Sequence, residues 1–330
     1  MKRFISLAMA VVFALSLVWA GCFAAGNPAY AVKPRKITNR KLVVGLVPVT
    51  MNTSYTMTIN GAKKEIAKLG NKIDLIVQAP SNNTSTITDQ GNILESLIQK
   101  KVDAIVLATE SDTSMLPYLR EAAKANIPVF LFNMSTIDQK DIYYVSSIGY
   151  DQYGAGKSIG KWVADTYKEG KIGVLEGYPG VVNTQRMNGF KDAIAKAPGL
   201  KIVASQVANW NRESGQKVTE GILTAHPDMT ILYGPFDEMV LGGLVVVKER
   251  NLMKQIHVVG FGCTKDGVTS VKNGEMAATI NVMEYETGFD IIDAVNNYCV
   301  KGQNVKKVIY RNCDVYDGKN INSLDMARFN

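Results

Sequence analysis

A few short stretches of this chain could carry chemistry, and each fails a specific requirement. Gly154-Ala-Gly156-Lys-Ser-Ile-Gly160 suggests a phosphate-binding loop. A P-loop needs glycine five residues before the Gly-Lys-Ser, and Asp151 stands there. A dinucleotide fingerprint needs glycine where Ile159 stands, and no strand leads directly into the segment. These glycines are therefore expected to let two helices pack closely. Gly156-Lys-Ser-Ile-Gly160 also fits the Gly-x-Ser-x-Gly pattern, but a nucleophile elbow needs a strand leading directly into it, and none does; no His-Glu-x-x-His pair occurs, and His226 and His257 are the only histidines. His226 reads as a helix C-terminal residue before Pro227, and His257 as the approach to a strand. Asp237-Glu238 could be imagined as an acid and a base, but the pair sits where carboxylates favour a helix start. The sequence thus predicts no enzyme, no metal site and no cofactor.

The elements around these stretches alternate. Short apolar strands are expected at 42–47, 74–77, 104–107 and 129–132, with helices at 59–69, 86–99 and 115–125 between them. The pattern then restarts. Helices are expected at 154–167, 185–197, 213–225, 239–250 and 268–273, and strands at 171–175, 202–204, 231–233, 258–260 and 278–280. A helix at 288–300 and a strand at 308–310 follow. This is an α/β architecture of doubly wound parallel sheets. Ligands in such sheets sit beyond the carboxyl ends of strands, which points to the loops after residues 47, 107, 132, 175, 233 and 260.

The first 31 residues read as an export signal: Lys2 and Arg3, an apolar run from Phe4 to Phe23, then Ala29-Tyr30-Ala31 as the cleavage site. A retained membrane anchor and lipidation at Cys22, within Ala20-Gly21-Cys22, are the alternatives. Cleavage would leave 299 of the 330 residues and lower the formal charge from +7 to +5. Basic residues are scattered, which argues against a nucleic-acid partner. The other cysteines are Cys263, Cys299 and Cys313. An oxidising compartment would permit a Cys299–Cys313 bridge, and two buried free thiols are the alternative.

Residues 41–314 resemble the type I periplasmic binding proteins, the ribose- and galactose-binding group. The resemblance rests on Asn126-Ile-Pro-Val129, Gly177-Tyr-Pro-Gly180 with Arg186 and Gly189-Phe190, Trp210, His226-Pro-Asp228, Asp237-Glu-Met239, Val259-Gly-Phe261 and Ala278-Thr-Ile280. It implies two Rossmann-like lobes joined by a three-crossing hinge near Tyr150, Val282 and Cys313. The lobes would comprise residues 32–149 with 283–313, and 150–282 with 314–330. It further implies hinge closure on a small molecule by a monomer, and delivery to the membrane permease of an ABC importer. A periplasmic sensor presenting its ligand to a histidine kinase or chemoreceptor is the second reading. Lac-repressor-type regulators share the fold but carry a helix-turn-helix where this chain has its export signal.

By the same resemblance, Asn52 and Arg186 would bond ligand hydroxyls, and Tyr55, Trp210 and Phe261 would stack on the ligand. Other positions depart from the family pattern. Asn133-Met134 replaces an Asp-Arg pair, Phe236 an Asn, Gly262 an Asp and Val282 a Gln, and Tyr150 stands where a small polar residue is common. Charged and amide groups leave while aromatic and apolar groups enter. The expected ligand is therefore sugar-like with a larger apolar face: a deoxy sugar, polyol or heterocycle. Glu110, Asn133 and Asn183 are candidate replacement polar groups.

Overall fold

The computed structural model describes residues 32–81, 86–109, 111, 113–133 and 144–329. The export-signal segment with Cys22, and also Glu110 and Met134, lie outside the described residues. Two six-stranded sheets organise the described residues. The first is built from β1 (Leu42–Val47), β2 (Ile73–Val77), β3 (Ala104–Leu107), β4 (Val129–Phe132), β5 (Ser146–Tyr150) and β11 (Val308–Arg311), in the order β11-β5-β4-β3-β1-β2. All its pairings are parallel. The second contains β6 (Glu169–Glu176), β7 (Gly199–Val207), β8 (Ile231–Tyr233), β9 (His257–Val259), β10 (Ala278–Asn281) and β12 (Asp314–Asp317), in the order β12-β10-β9-β8-β6-β7. Here β12 runs antiparallel to β10, with Ala278 opposite Asp317. The second sheet therefore departs from the all-parallel expectation at one edge.

β3 and β4 are buried at every residue, as strands covered on both faces must be. The helices that cover the sheets are α1 (Thr53–Lys68), α2 (Thr86–Gln99), α3 (Leu116–Lys124), α4 (Gln152–Tyr167), α5 (Val181–Ile194), α6 (Arg212–Ala225), α7 (Asp237–Glu249), α8 (Lys265–Lys272) and α9 (Glu284–Cys299). Three helix pairs pack most extensively: α1 on α9, α4 on α5, and α6 on α7. Glycine makes such approaches possible. A Cβ at Gly156 would lie 2.0 Å from the Arg186 carbonyl oxygen, so α4 and α5 meet backbone to backbone. Gly156 and Gly160 of the rejected phosphate loop do serve helix packing, whereas Gly154 faces the Asp151 side chain.

The chain passes from the first sheet to the second after β5, returns after β10, and crosses again between β11 and β12. The strand Ser146–Tyr150 has little apolar patterning, yet all five residues are buried. Cys263, Cys299 and Cys313 are free thiols. Cys299 belongs to the core around α1 and α9, whereas Cys313 packs against the core of the second sheet, so the bridge weighed from the sequence is not made. His257 stacks on Tyr167 with ring centroids 4.6 Å apart, and burial lowers its pKa.

Candidate functional site

A cavity of about 490 Å³ opens between the carboxyl ends of the two sheets. The loops after β1, β4, β6, β8 and β9 line it, as expected from the topology. The loop after β3 contributes no residue among those described. Segments that the topology argument did not single out also contribute: the start of α2 at Thr86–Thr88, the loop after β7 at Asn209–Asn211, and the turn from β10 into α9 at Val282 and Glu284.

Arg186, on α5, is 6 % exposed and anchored on three sides. Its Nε donates to Gln152 Oε1 at 2.7 Å and its Nη1 to the Pro235 carbonyl at 2.7 Å. Its Nη2 donates to the Tyr150 hydroxyl. The guanidinium also lies 4.4 Å from the Phe261 ring centroid and 5.6 Å from that of Trp210. Aromatic faces stabilise a cation held this way. Tyr150 is 1 % exposed and does not line the cavity, which corrects its expected role as a ligand contact. It stands behind Arg186, and burial raises its phenol pKa.

The sequence reading missed Glu284, the first residue of α9. It is 3 % exposed yet lines the cavity. Ser54 Oγ donates to its Oε1 at 2.6 Å, Thr58 Oγ1 to its Oε2 at 3.1 Å, and Asn133 Nδ2 to Oε1 at 3.4 Å. Burial raises its pKa, opposed by the Ser54 hydroxyl, the field of Arg186 and the Thr58 hydroxyl. Asn133 in turn accepts from Gln152 Nε2 at 3.1 Å. One buried polar chain thus runs Glu284–Asn133–Gln152–Arg186, from the α1/α9 side to the α4/α5 side.

The other predicted residues divide clearly. Asn52, Tyr55, Asn133, Arg186, Trp210, Phe236, Phe261 and Gly262 all line the cavity. Asn52 also caps α1, its Oδ1 accepting from Tyr55 N at 3.1 Å. Tyr55 meets Phe132 edge-on at 5.9 Å, and Trp210 meets Phe236 at 6.3 Å. Asn183 does not line the cavity, because its amide holds Gly177 N at 2.9 Å and Glu176 at 2.9 Å. Asp237 is a structural anchor rather than an acid. It accepts from Phe261 N at 2.7 Å, Thr264 N at 2.7 Å and Thr279 Oγ1 at 2.8 Å, which fixes the loop carrying Phe261 and Gly262. Burial pushes its pKa up to about 6 against those donors. Among the described residues no His, Cys, Asp and Glu group could hold a metal.

Backbone strain concentrates here. Of the ten described non-glycine residues with positive φ, Asn71, Lys101, Asn126, Lys168 and Asn251 follow helix C-termini, where the left-handed conformation is routine. The other five (Asn133, Asn209, Trp210, Cys263 and Met283) lie in loops and turns that border the cavity. Such strain persists where surrounding contacts enforce it, as at ligand clamps. At Trp210 the enforcing contact is Gly177, where a Cβ would lie 1.9 Å from the indole.

Two α/β lobes whose strand ends face one cavity, with the chain crossing between them three times, define a two-lobed binding protein. The chain belongs to the family of the periplasmic binding protein domain, whose model matches residues 44–304. It is similar to the ribose import binding protein RbsB of Bacillus subtilis, 29% identical over 306 residues that cover 92% of this chain and 96% of that protein. It is also similar to the RbsB of Salmonella typhimurium, 31% identical over 269 residues, 81% of this chain and 87% of that one. Among solved structures, a periplasmic solute-binding protein of an ABC transporter from Actinobacillus succinogenes, with bound D-allose, matches with a TM-score of 0.80 and 29% identity, covering 86% of this chain and 100% of that one. These are binding proteins of transporters, not enzymes.

Proposed function

We propose that the protein captures one neutral, sugar-like molecule in the cavity by closure of its two lobes, and delivers it to the permease of an ABC importer. The observation that carries this is the charge balance of the lining: among the described residues, Arg186 and Glu284 are its charged ones, one of each sign. A ligand with net charge would leave one of two buried charges opposed by a like charge, which is costly away from water. Import follows from the relatives, which are named as import binding proteins for ribose.

Apolar lining favours a ligand with an apolar face. Trp210, Phe236, Phe261 and Val282 surround the Arg186 side, and Met51 and Ile87 stand half-exposed on the opposite side. Deoxy sugars, cyclic polyols and compact glycosides meet both requirements. The three passages between sheets act as the hinge, the lobes comprise 32–149 with 283–313 and 150–282 with 314–330, and the first 31 residues direct export to the periplasm. The test is a thermal-shift screen of protein unfolded and refolded to strip carried-over ligand. The panel is D-ribose, D-allose, L-fucose, myo-inositol, adenosine, ribose 5-phosphate and glucosamine. A ligand at about 1,000 times its Kd adds about 4 kcal/mol, a shift of several degrees. A rise with a neutral compound supports the proposal, and a rise confined to the phosphate or the amine contradicts it.

A further inference from the structure

Arg186 and Glu284, the charged residues among the described lining, sit on opposite walls and leave complementary bonding capacity. Glu284 belongs to α9, which packs on α1, and Arg186 to α5, which packs on α4. A carboxylate offers about four acceptor sites. Ser54, Thr58 and Asn133 use three of them, and no cation pairs with Glu284 among the described residues. The guanidinium has about five N–H donors. Gln152, Pro235 and Tyr150 take three, leaving one each on Nη1 and Nη2. Trp210 lines the same wall, and its Nε1 is buried without a hydrogen-bond partner. One wall is left wanting a donor, and the other wants acceptors.

We infer that Glu284 is a specificity-determining residue that accepts a hydrogen bond from a ligand hydroxyl or N–H, while Arg186 and Trp210 donate to ligand oxygens on the opposite side. The inference rests on the neutral-ligand reading above and sharpens it. The bound molecule carries an O–H or N–H donor on one edge and acceptor oxygens, such as a ring oxygen or carbonyl, on the other. A molecule presenting acceptors to both walls is refused, because a buried carboxylate facing a bare oxygen loses its partner and gains repulsion.

The test uses the neutral panel compound that binds best, with its monodeoxy and deoxyfluoro analogues, titrated into wild type and Glu284→Gln. Fluorine keeps a weak acceptor and removes the donor. Glu284→Gln is expected to weaken the parent compound about 10- to 100-fold, the range for a charge-assisted hydrogen bond. One deoxy analogue should lose as much with wild type and nothing further with the variant, and fluorine at that position should restore nothing. Unchanged affinity of Glu284→Gln, or losses that multiply for every analogue, would overturn the inference. The wild-type comparison of deoxy with deoxyfluoro stands even if the variant fails to fold, and no donor requirement at any position also overturns it. A wild type that binds no neutral compound overturns the ligand class first and this inference with it. Binding that ignores Glu284 overturns the inference alone.

Discussion

Gln152 Oε1 accepts Arg186 Nε at 2.7 Å, while the same amide's nitrogen reaches Asn133 at 3.1 Å. Gln152 is the first residue of α4, immediately after the chain leaves the first sheet. The side chain that orients the cavity's cation is therefore fastened to a residue of the opposite lobe.

Arg186→Lys tests how far geometry matters beyond charge. A lysine keeps the charge but cannot reach Gln152, Pro235 and Tyr150 in fixed directions while still presenting two donors. Ligand affinity by calorimetry should fall about 10- to 100-fold. Affinity within twofold of wild type would show that Arg186 does not touch the ligand.

Gly177→Ala should damage the site from beneath. The added methyl would sit 1.9 Å from Trp210 Cζ2, so the indole must leave its place. Overpacking of this kind costs about 1–3 kcal/mol. Both the melting temperature and ligand affinity should drop, and Trp210→Phe in the Gly177→Ala background, which removes the clashing Cζ2 and Cη2, should recover melting temperature but not affinity.

Asp237 gives a pH signature. Its pKa in the folded protein is pushed up to about 6 from an ordinary 3.8. The folded state therefore binds the proton more tightly than the unfolded chain. The stability linked to that proton is fully present below about pH 4 and is lost as pH rises through about 6, on the order of 3 kcal/mol. Asp237→Asn removes this slope. Unfolding free energies of wild type minus variant should fall between pH 4 and 6 and then level off, and a difference that is flat with pH would contradict the assignment.

Glu238 spans the cleft mouth. It accepts from Thr53 Oγ1 on α1 at 3.3 Å and pairs with Arg212 at 2.5 Å. The Arg212 pair lies within one lobe, so the bond across the mouth is the one from Thr53, worth about 0.5–1.5 kcal/mol, and Glu238→Ala should speed ligand release about two- to tenfold in stopped-flow traces. An unchanged release rate would remove this contact from the closing mechanism.

The alternation of strands and helices was legible because buried parallel strands read as continuous apolar runs and helix faces repeat at 3.6 residues. What the pattern hid lies at the cavity. Helices α1, α5 and α9 begin at Thr53, Val181 and Glu284, several residues before their apolar periodicity sets in at 59, 185 and 288. Those first turns face the cavity or its polar chain rather than the core, so no hydrophobic repeat marks them. Glu284 was missed for that reason, and its presence corrects the view that the pocket had shed its carboxylates. The strand Ser146–Tyr150 escaped because Ser-Ser-Ile-Gly-Tyr carries little hydrophobic signal, although every residue is buried. Tyr150 was placed one layer too far forward, since sequence cannot say which of two neighbouring aromatics stands behind the arginine.

The most direct test of the account is a calorimetric titration of refolded protein with matched neutral and charged compounds: D-ribose, L-fucose and myo-inositol beside ribose 5-phosphate and glucosamine. A cavity carrying one buried positive and one buried negative side chain predicts one site per chain, filled by a neutral compound, with the charged analogues at least tenfold weaker. Tighter binding of the phosphate or the amine than of any neutral compound would contradict it.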